Sequence, residues 1–394
     1  MSSIMGEKRI KICFVIDSLI ISGAGKLTMD VIKKLHDSGA DITLITFYKH
    51  SLDSENLDYS FLGDNNILFV DIYKLKFISR ILLLRKIFVK YDVIHSCLEM
   101  SNLYCSLVNI LTFNKKKYLA TIHGIDGIFI DDKFLQESFN KNVGIKYKLL
   151  IKYISNITLR SLNLFIAVSN DTRNFLIKRR GISFRKIKVI YHGIDIKSYP
   201  NPNMNVVANL KARYCIKDTD FVIGYLGRLA RGKGLEYLLD TFKGIYNYNK
   251  QYKFLIVGEG ELYEYLQAEI KRSDLEDKVF LCGSVLDVEN YYTLFDVYIL
   301  PSFSEGIPIS LLEAMYYKRI VICTDVGGIP EVIINKYNGF LIEKNNFTEL
   351  ESTIKFVYDN SKKLGFLKKN GYSTVLEKFN FDSNAYRIID LFLR

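Results

Sequence analysis

From residue 9 onward, short apolar runs rich in Val, Ile and Phe alternate with helical patterns along the whole chain, and few folds tolerate that arrangement. The first set is RIKICFVID (9–17), DITLITF (41–47), ILFVDI (67–72), DVIHSC (92–97), KYLATIH (117–123), LFIAVS (164–169) and IKVIYH (187–192). Most of these runs are continuously apolar rather than alternating, so each must be covered on both faces. Helical stretches such as LTMDVIKKLHDSG lie between several of them. Strands buried on both faces with helices between them specify a parallel, doubly wound α/β sheet. After SYPNPN, near residue 200, the alternation restarts with DFVIGYLG (220–227), KFLIVGEG (253–260), KVFLCG (278–283), VYILPS (297–302) and RIVICTD (319–325). A second sheet of the same kind is expected. At roughly 100 to 200 residues per domain, 394 residues accommodate two such domains. Sheets of this kind bind ligands beyond the carboxyl ends of their strands, and two of them facing each other would form a cleft there.

The net charge of +11 is confined to the first half. Residues 1–200 hold 30 Lys and Arg against 18 Asp and Glu, and the remainder 24 against 25. Within that half, KLKFISRILLLRKIFVKY (74–91) carries six basic side chains, no acidic one, and Leu, Ile and Phe between them. Such a segment suits an anionic membrane surface, and it equally suits a solvated helix face over an ordinary core. IKRRGISFRKIKVI (177–190) is a second basic cluster. No helix-turn-helix, zinc-finger or aromatic RNA-binding signature accompanies them, so nucleic acid is not expected. Cys13, Cys97, Cys105, Cys215, Cys282 and Cys323 are scattered without a CxxC pair, which reads as small buried hydrophobes in a reducing cytosol. ICFVIDSLII is interrupted by Asp17 and reads as a buried first strand rather than a signal peptide, and no run reaches the ~18 apolar residues of a spanning helix.

Three loops carry candidate chemistry. SGAGKLT (22–28) resembles a nucleotide-triphosphate loop, but the first glycine position of that motif is Ile20 and Leu27 follows Lys26, so it fails at both ends. What remains is a turn at Gly23, Ala24 and Gly25 before a helix opening at about Lys26, either an anion cradle or a plain connection. GRLARGKG places Arg228 and Lys233 after a strand, where two cations could neutralise a departing diphosphate or simply make a basic surface loop. LPSFSEGIPISLLEAM puts Glu305 at a strand end, Pro308 in the first turn of a helix with the Ile309 and Ser310 amides turned back into the loop, and Glu313 just over a turn further on. Eight residues apart, the two carboxylates suit one elongated ligand with neighbouring hydroxyls rather than a close acid pair. Asp218 and Asp220 in DTD mimic a metal motif but precede a strand, and read as a solvated turn.

The combination of SGAGK, TIHGID, AVSN, VIYHGID, GRLARGKGLEYLLDTF, FLIVGEGE, LPSFSEGIPISLLEAM and VGGIPEVI with NGFLI resembles glycosyltransferase family 4, the retaining, sugar-nucleotide-dependent enzymes of GT-B fold. The resemblance implies two Rossmann-like doubly wound domains facing a cleft: an acceptor-binding domain over 1–197, a donor-binding domain over 198–379, and a last helix, 380–394, crossing back to the first. It implies that Arg228 and Lys233 hold the donor diphosphate and Glu313 the ribose hydroxyls. Glu305, with Gly306, Ile307, Pro308, Ile309 and Ser310, would face the transferred sugar and the phosphates. His123 in TIHGID would lie near that sugar, and Gly23, Ala24 and Gly25 beside the phosphates. Gly258, Gly260 and the turn from Gly283 to Val285 would line the pocket for sugar and base. No metal is implied, because Arg and Lys replace it at the leaving group. Ser22 departs from the more usual glycine and His192 from the more usual Asn.

The expected activity is retaining transfer of a hexose or related sugar from a nucleotide diphosphate donor, UDP-linked, to a hydroxyl acceptor. The basic first domain suggests a saccharide or lipid-linked saccharide of surface polysaccharide assembly, handled by a cytoplasmic enzyme peripheral to the membrane. A sugar-nucleotide epimerase of similar build and a non-catalytic sugar-nucleotide-binding module are the alternatives.

Overall fold

The computed structural model describes residues 9–17, 23–47, 67–69, 75, 77–112, 116–123 and 153–393. By its contacts the chain divides into two units, one running to Tyr191 and regaining Ser383–Arg394, the other His192–Asp382.

Among the described residues of the first unit, seven strands form one parallel sheet: β1 (Lys11–Ile16), β2 (Asp41–Thr46), β3 (Ile67–Phe69), β4 (Val93–Cys97), β5 (Lys117–Ile122), β6 (Leu164–Ala167) and β7 (Ile187–Val189). Their order is β3-β2-β1-β4-β5-β6-β7. The chain winds outward from β1 and then resumes on β1's other side, with Ile12 opposite both Ile42 and Val93. The turning point between β1 and β4 is where a doubly wound sheet leaves a crevice. β1, β2 and β5 are buried after their first residue, as continuously apolar runs require. One core holds Val15, Ile45, Ile94, Ala120 and Phe165 from the sheet against Ile81, Leu84 and Phe88 from helix Phe77–Phe88 and Leu103, Tyr104 and Val108 from helix Glu99–Leu111. Each fully buried aliphatic or phenyl group there contributes about 1.5–3 kcal/mol.

The last helix, Phe381–Leu393, returns to the first unit. Phe392 stacks on Phe14 with ring centroids 5.6 Å apart, and Lys117 Nζ donates to the Leu391 carbonyl at 2.6 Å. His95, on β4, meets Phe14 and Phe392 edge-on, and its Nε2 lies 2.8 Å from Thr121 Oγ1.

Burial pushes His95 down to about 3 and His123 down to about 4. Unfolded, both titrate near 6.5, so below that pH the unfolded chain binds more protons and stability is lost as pH falls toward 4. Asp17 acts oppositely: burial raises its carboxyl to about 6 although Ser101 and Met100 donate to it, so the folded state takes its proton first. Between pH 6 and 4 the two histidines outweigh Asp17, so the three groups together leave stability falling as pH falls. Urea unfolding should therefore show stability falling with pH, and His95→Gln should flatten the slope; an unchanged slope contradicts the assignment.

The second unit holds six described strands: β8 (Phe221–Leu226), β9 (Tyr252–Val257), β10 (Val279–Gly283), β11 (Val297–Leu300), β12 (Ile320–Thr324) and β13 (Phe340–Ile342). All neighbours are parallel, in the order β10-β9-β8-β11-β12-β13, so the turning point lies between β8 and β11. β13 had no counterpart among the expected strands: its three residues fall below the length at which an apolar run is distinctive. Two expectations need correction. Cys215 is exposed and Cys282 partly so, while the other four cysteines are buried. Of the six basic residues in 74–91, Arg80 is turned inward, donating to the Leu75 carbonyl at 2.8 Å and to Tyr104 Oη at 2.9 Å. Lys74 and Lys76 lie outside the described residues.

Candidate active site

At the carboxyl edge of the second sheet, the loops after β8, β9 and β10 are hydrogen-bonded into one layer. Gly227 N donates to the Val257 carbonyl at 3.0 Å, Leu229 N to Glu259 at 2.8 Å, and Gly258 N to Gly283 at 2.8 Å. The approach is close enough to demand glycine: a Cβ on Gly258, at φ +136°, would stand 2.0 Å from the Gly227 carbonyl oxygen. Gly260, Gly283 and Val285 belong to this layer or border it, and Glu259 Oε1 reaches Ser284 N at 3.5 Å.

The two loops flanking the β8/β11 turning point supply Lys233 and Glu305. Lys233 Nζ meets Glu305 Oε1 at 2.6 Å, and Ser302 Oγ donates to the same oxygen at 2.7 Å. Phe303 N donates to the Gly232 carbonyl at 2.7 Å, which pins the β11 loop to the β8 loop. From the far side Gly328 N donates to the Glu305 carbonyl at 3.1 Å, so the VGG turn after β12 backs the carboxylate loop. The Lys233 charge is thus held beside a carboxylate with 11% of its side chain exposed, while Arg228, on the same glycine-rich loop, is exposed.

Pro308 precedes the helix Ile309–Tyr316 in extended conformation instead of occupying its first turn. Gly306, Ile307, Pro308 and Ile309 are buried, so any ligand contact from this stretch comes from backbone, with Ser310 partly open. Ser310 Oγ accepts from Tyr298 Oη at 2.7 Å. Glu313 is 6% exposed, and its two oxygens accept from Tyr199 Oη at 2.5 Å and Tyr292 Oη at 3.0 Å. The sequence reading missed Ser302, Tyr199 and Tyr292. Ser302 stands three residues before Glu305, a spacing that could have flagged it; the tyrosines are 114 and 21 residues from Glu313 and left no local signal.

In the first unit, Gly23, Ala24 and Gly25 are not a turn before the helix. The helix is Gly23–Asp37 and takes them into its first turn, with Thr28 Oγ1 donating to the Ala24 carbonyl at 2.8 Å. Ser22 and the residues after His123 in TIHGID lie outside the described residues. His123 follows β5 directly, and burial keeps its imidazole neutral well below pH 7. Ser169 of AVSN caps the helix Asn170–Arg180, its Oγ accepting from Thr172 N at 3.0 Å. Asp218 pairs with Lys211 at 2.9 Å and Asp220 accepts from Lys217 N at 2.8 Å, the solvated turn expected of DTD.

The model of glycosyltransferase family 4 matches residues 21–198, and that of glycosyl transferases group 1 matches residues 207–374. The chain belongs to the family 4, group 1 glycosyltransferases. Its two Rossmann-like parallel sheets are the two sheets of the GT-B class. Among curated proteins, this glycosyltransferase is 28% identical to the UDP-Gal:alpha-D-GlcNAc-diphosphoundecaprenol alpha-1,3-galactosyltransferase of Escherichia coli, over 98% of this chain and 97% of that one. It is 26% identical to a capsular polysaccharide biosynthesis glycosyltransferase of Staphylococcus aureus, over 60% and 63% of the two chains. Among solved structures, Anabaena HepE in complex with UDP superposes with a TM-score of 0.77 at 19% identity, covering 97% of this chain and 99% of that chain.

Proposed function

We propose that this glycosyltransferase moves a sugar from a UDP-linked donor to a hydroxyl of a lipid-linked saccharide, with retention of configuration and without a metal. The observation that carries the reading is the pairing of Lys233 with Glu305 at the β8/β11 turning point, where a doubly wound sheet presents its ligand groups. Lys233, with Arg228 five residues before it, offers fixed positive charge to a diphosphate whose negative charge grows as it leaves, and such charge acts without reorganisation. Glu305 meets the donor sugar, the phosphates and the β11 loop amides lie together, and Glu313 takes the ribose. Gly258, Gly260, Gly283 and Val285 border sugar and base. Departing phosphate oxygen, on the same face as the attacking hydroxyl, takes the acceptor proton, so no carboxylate nucleophile is required. His123, directly after β5, is a neutral hydrogen-bonding group at pH 7. The galactosyltransferase relative is named for a UDP-Gal donor and a diphosphoundecaprenol-linked acceptor, which supports the same substrate classes here.

The basic first unit favours an acceptor presented at an anionic membrane surface. No helix among the described residues is long and apolar enough to cross a membrane. Helix Phe77–Phe88 and the residues after it leave Ile78, Leu82 and Val89 exposed beside Arg85, Lys86 and Lys90. At about 1 kcal/mol per basic residue, the three cations favour an anionic surface by roughly a hundredfold. In liposome sedimentation the protein should pellet with anionic vesicles at low salt, and high salt or Leu82→Glu should release it; indifference to lipid charge and salt counts against the reading. The donor assignment is tested by thermal stabilisation with a panel of nucleotide sugars. A ligand at 100 times its Kd adds about 2.7 kcal/mol, so a shift with UDP-sugars supports the reading and a shift with guanine or thymine sugar nucleotides alone overturns the UDP assignment.

A further inference from the structure

The stretch that enters the second unit, residues 192–203, is fastened to that unit at successive points. Ile194 N donates to the Phe379 carbonyl at 2.9 Å and Phe381 N to the Ile194 carbonyl at 3.0 Å, forming a parallel bridge between Ile194 and Asn380. Lys197 pairs with Asp382 at 2.9 Å. The division into units falls just outside these contacts, after Tyr191 and after Asp382. The two chain crossings therefore lie side by side.

A few residues on, the same stretch reaches the candidate nucleotide carboxylate. Tyr199, 9% exposed, packs its ring against Tyr316 and Tyr317 at centroid distances of 5.7 and 6.2 Å and donates to Glu313 Oε1 at 2.5 Å. Tyr317 Oη in turn donates to the Pro200 carbonyl at 3.1 Å. On the other oxygen, Tyr292 from helix Val288–Leu294 shares its proton between Glu313 Oε2 and the Ser310 carbonyl, each at 3.0 Å. Burial, and the Glu313 charge after it, push the Tyr292 phenol well up, so it remains a donor. The Tyr199 and Tyr292 hydroxyls, on opposite oxygens, hold the plane of the carboxylate.

We propose that Tyr199 is a positioning residue: its hydroxyl sets the orientation in which Glu313 meets the donor ribose, and so links the entry stretch of the second unit to the nucleotide. The inference rests on the reading of Glu313 as the ribose carboxylate. It makes the chain's discrimination between ribose and deoxyribose a property of Tyr199 as well as of Glu313.

The test is calorimetric binding of uridine diphosphate and guanosine diphosphate, each in ribo, 2′-deoxy and 3′-deoxy form. Wild type should prefer a ribo form by roughly tenfold or more, the worth of a hydrogen bond to a charged group. Tyr199→Phe keeps the ring packing and removes only the hydroxyl. It should weaken ribo binding several-fold while leaving deoxy binding nearly unchanged, and raise the donor KM with little change in kcat. Tyr199→His, which retains an N–H donor, should recover part of the ratio. An unchanged ribo-to-deoxy ratio in Tyr199→Phe, with both forms weakened equally, overturns the inference and leaves Tyr199 a structural residue. Absence of ribose preference in wild type, or its persistence in Glu313→Ala, overturns instead the reading of Glu313; binding of neither diphosphate overturns the donor site itself.

Discussion

Replacing Lys233 with alanine is expected to lower turnover by on the order of a hundredfold or more at saturating donor. On the proposed reading, charge accumulates on the diphosphate as the bond to the sugar breaks, and a fixed ammonium on the β8 loop would stabilise that state more than the bound donor. The same substitution removes the partner of Glu305, whose side chain is 11% exposed. Breaking a buried pair costs about 3–5 kcal/mol, and the partial exposure of Lys233 places this pair at or below the lower end. Stability must therefore be measured beside turnover. Arg228→Ala separates the effects, since Arg228 is exposed and its loss leaves Glu305 paired. Both variants should lose turnover, and only Lys233→Ala should also lose thermal stability. Wild-type turnover in both, measured with saturating donor, sinks the leaving-group assignment.

Gly258→Ala is expected to damage the donor unit by more than most single methyl additions. The new Cβ would stand 2.0 Å from the Gly227 carbonyl oxygen, and φ +136° is a conformation that L side chains rarely adopt. Backbone strain of that kind costs about 1–3 kcal/mol, and overpacking adds about 1–3 kcal/mol. The neighbour is backbone, so relief must come from separating the β8 and β9 loops, which breaks the Gly227 N bond to the Val257 carbonyl and the Leu229 N bond to Glu259. Denaturant unfolding should show a loss of roughly 2–6 kcal/mol, with nucleotide affinity falling in the fraction that folds. Gly232→Ala is the control, since nothing lies within 4 Å of its added Cβ, although its φ of +85° carries some strain of its own. Equal effects at the two positions would show that conformation alone, and not the close approach, makes Gly258 necessary.

How much of this was legible in the sequence follows from how local each signal is. Strands such as KICFVI and YKFLIV are buried through most of their length, so their composition announces them. β13 has only FLI and gains its place from pairing with β12. Lys233 and Glu305 were legible as strand-end residues, but their contact was not, because it depends on which loops flank the turning point of the strand order. Arg80 shows the limit of charge counting: its spacing fits a basic face, yet Tyr104 from the next helix draws it inward. Glu313 read as a ligand group from its motif, and nothing near it announced that Tyr199 and Tyr292 would enclose it. The glycines of SGAGKLT suggested a turn, and the helix absorbs them, because Gly23 and Gly25 lose only about 1 kcal/mol each relative to alanine in a helix.

The central claim is retaining, metal-independent transfer, and product stereochemistry tests it most directly. The protein would be incubated in EDTA with UDP-galactose, UDP-glucose or UDP-N-acetylglucosamine and a polyprenyl-diphosphate-linked monosaccharide, and the anomeric proton of the product read by NMR. An α-linked product from an α-linked donor, formed with EDTA present, is the predicted result. A β-linked product, activity only on restoring a divalent metal, or epimerised donor released without transfer would contradict it.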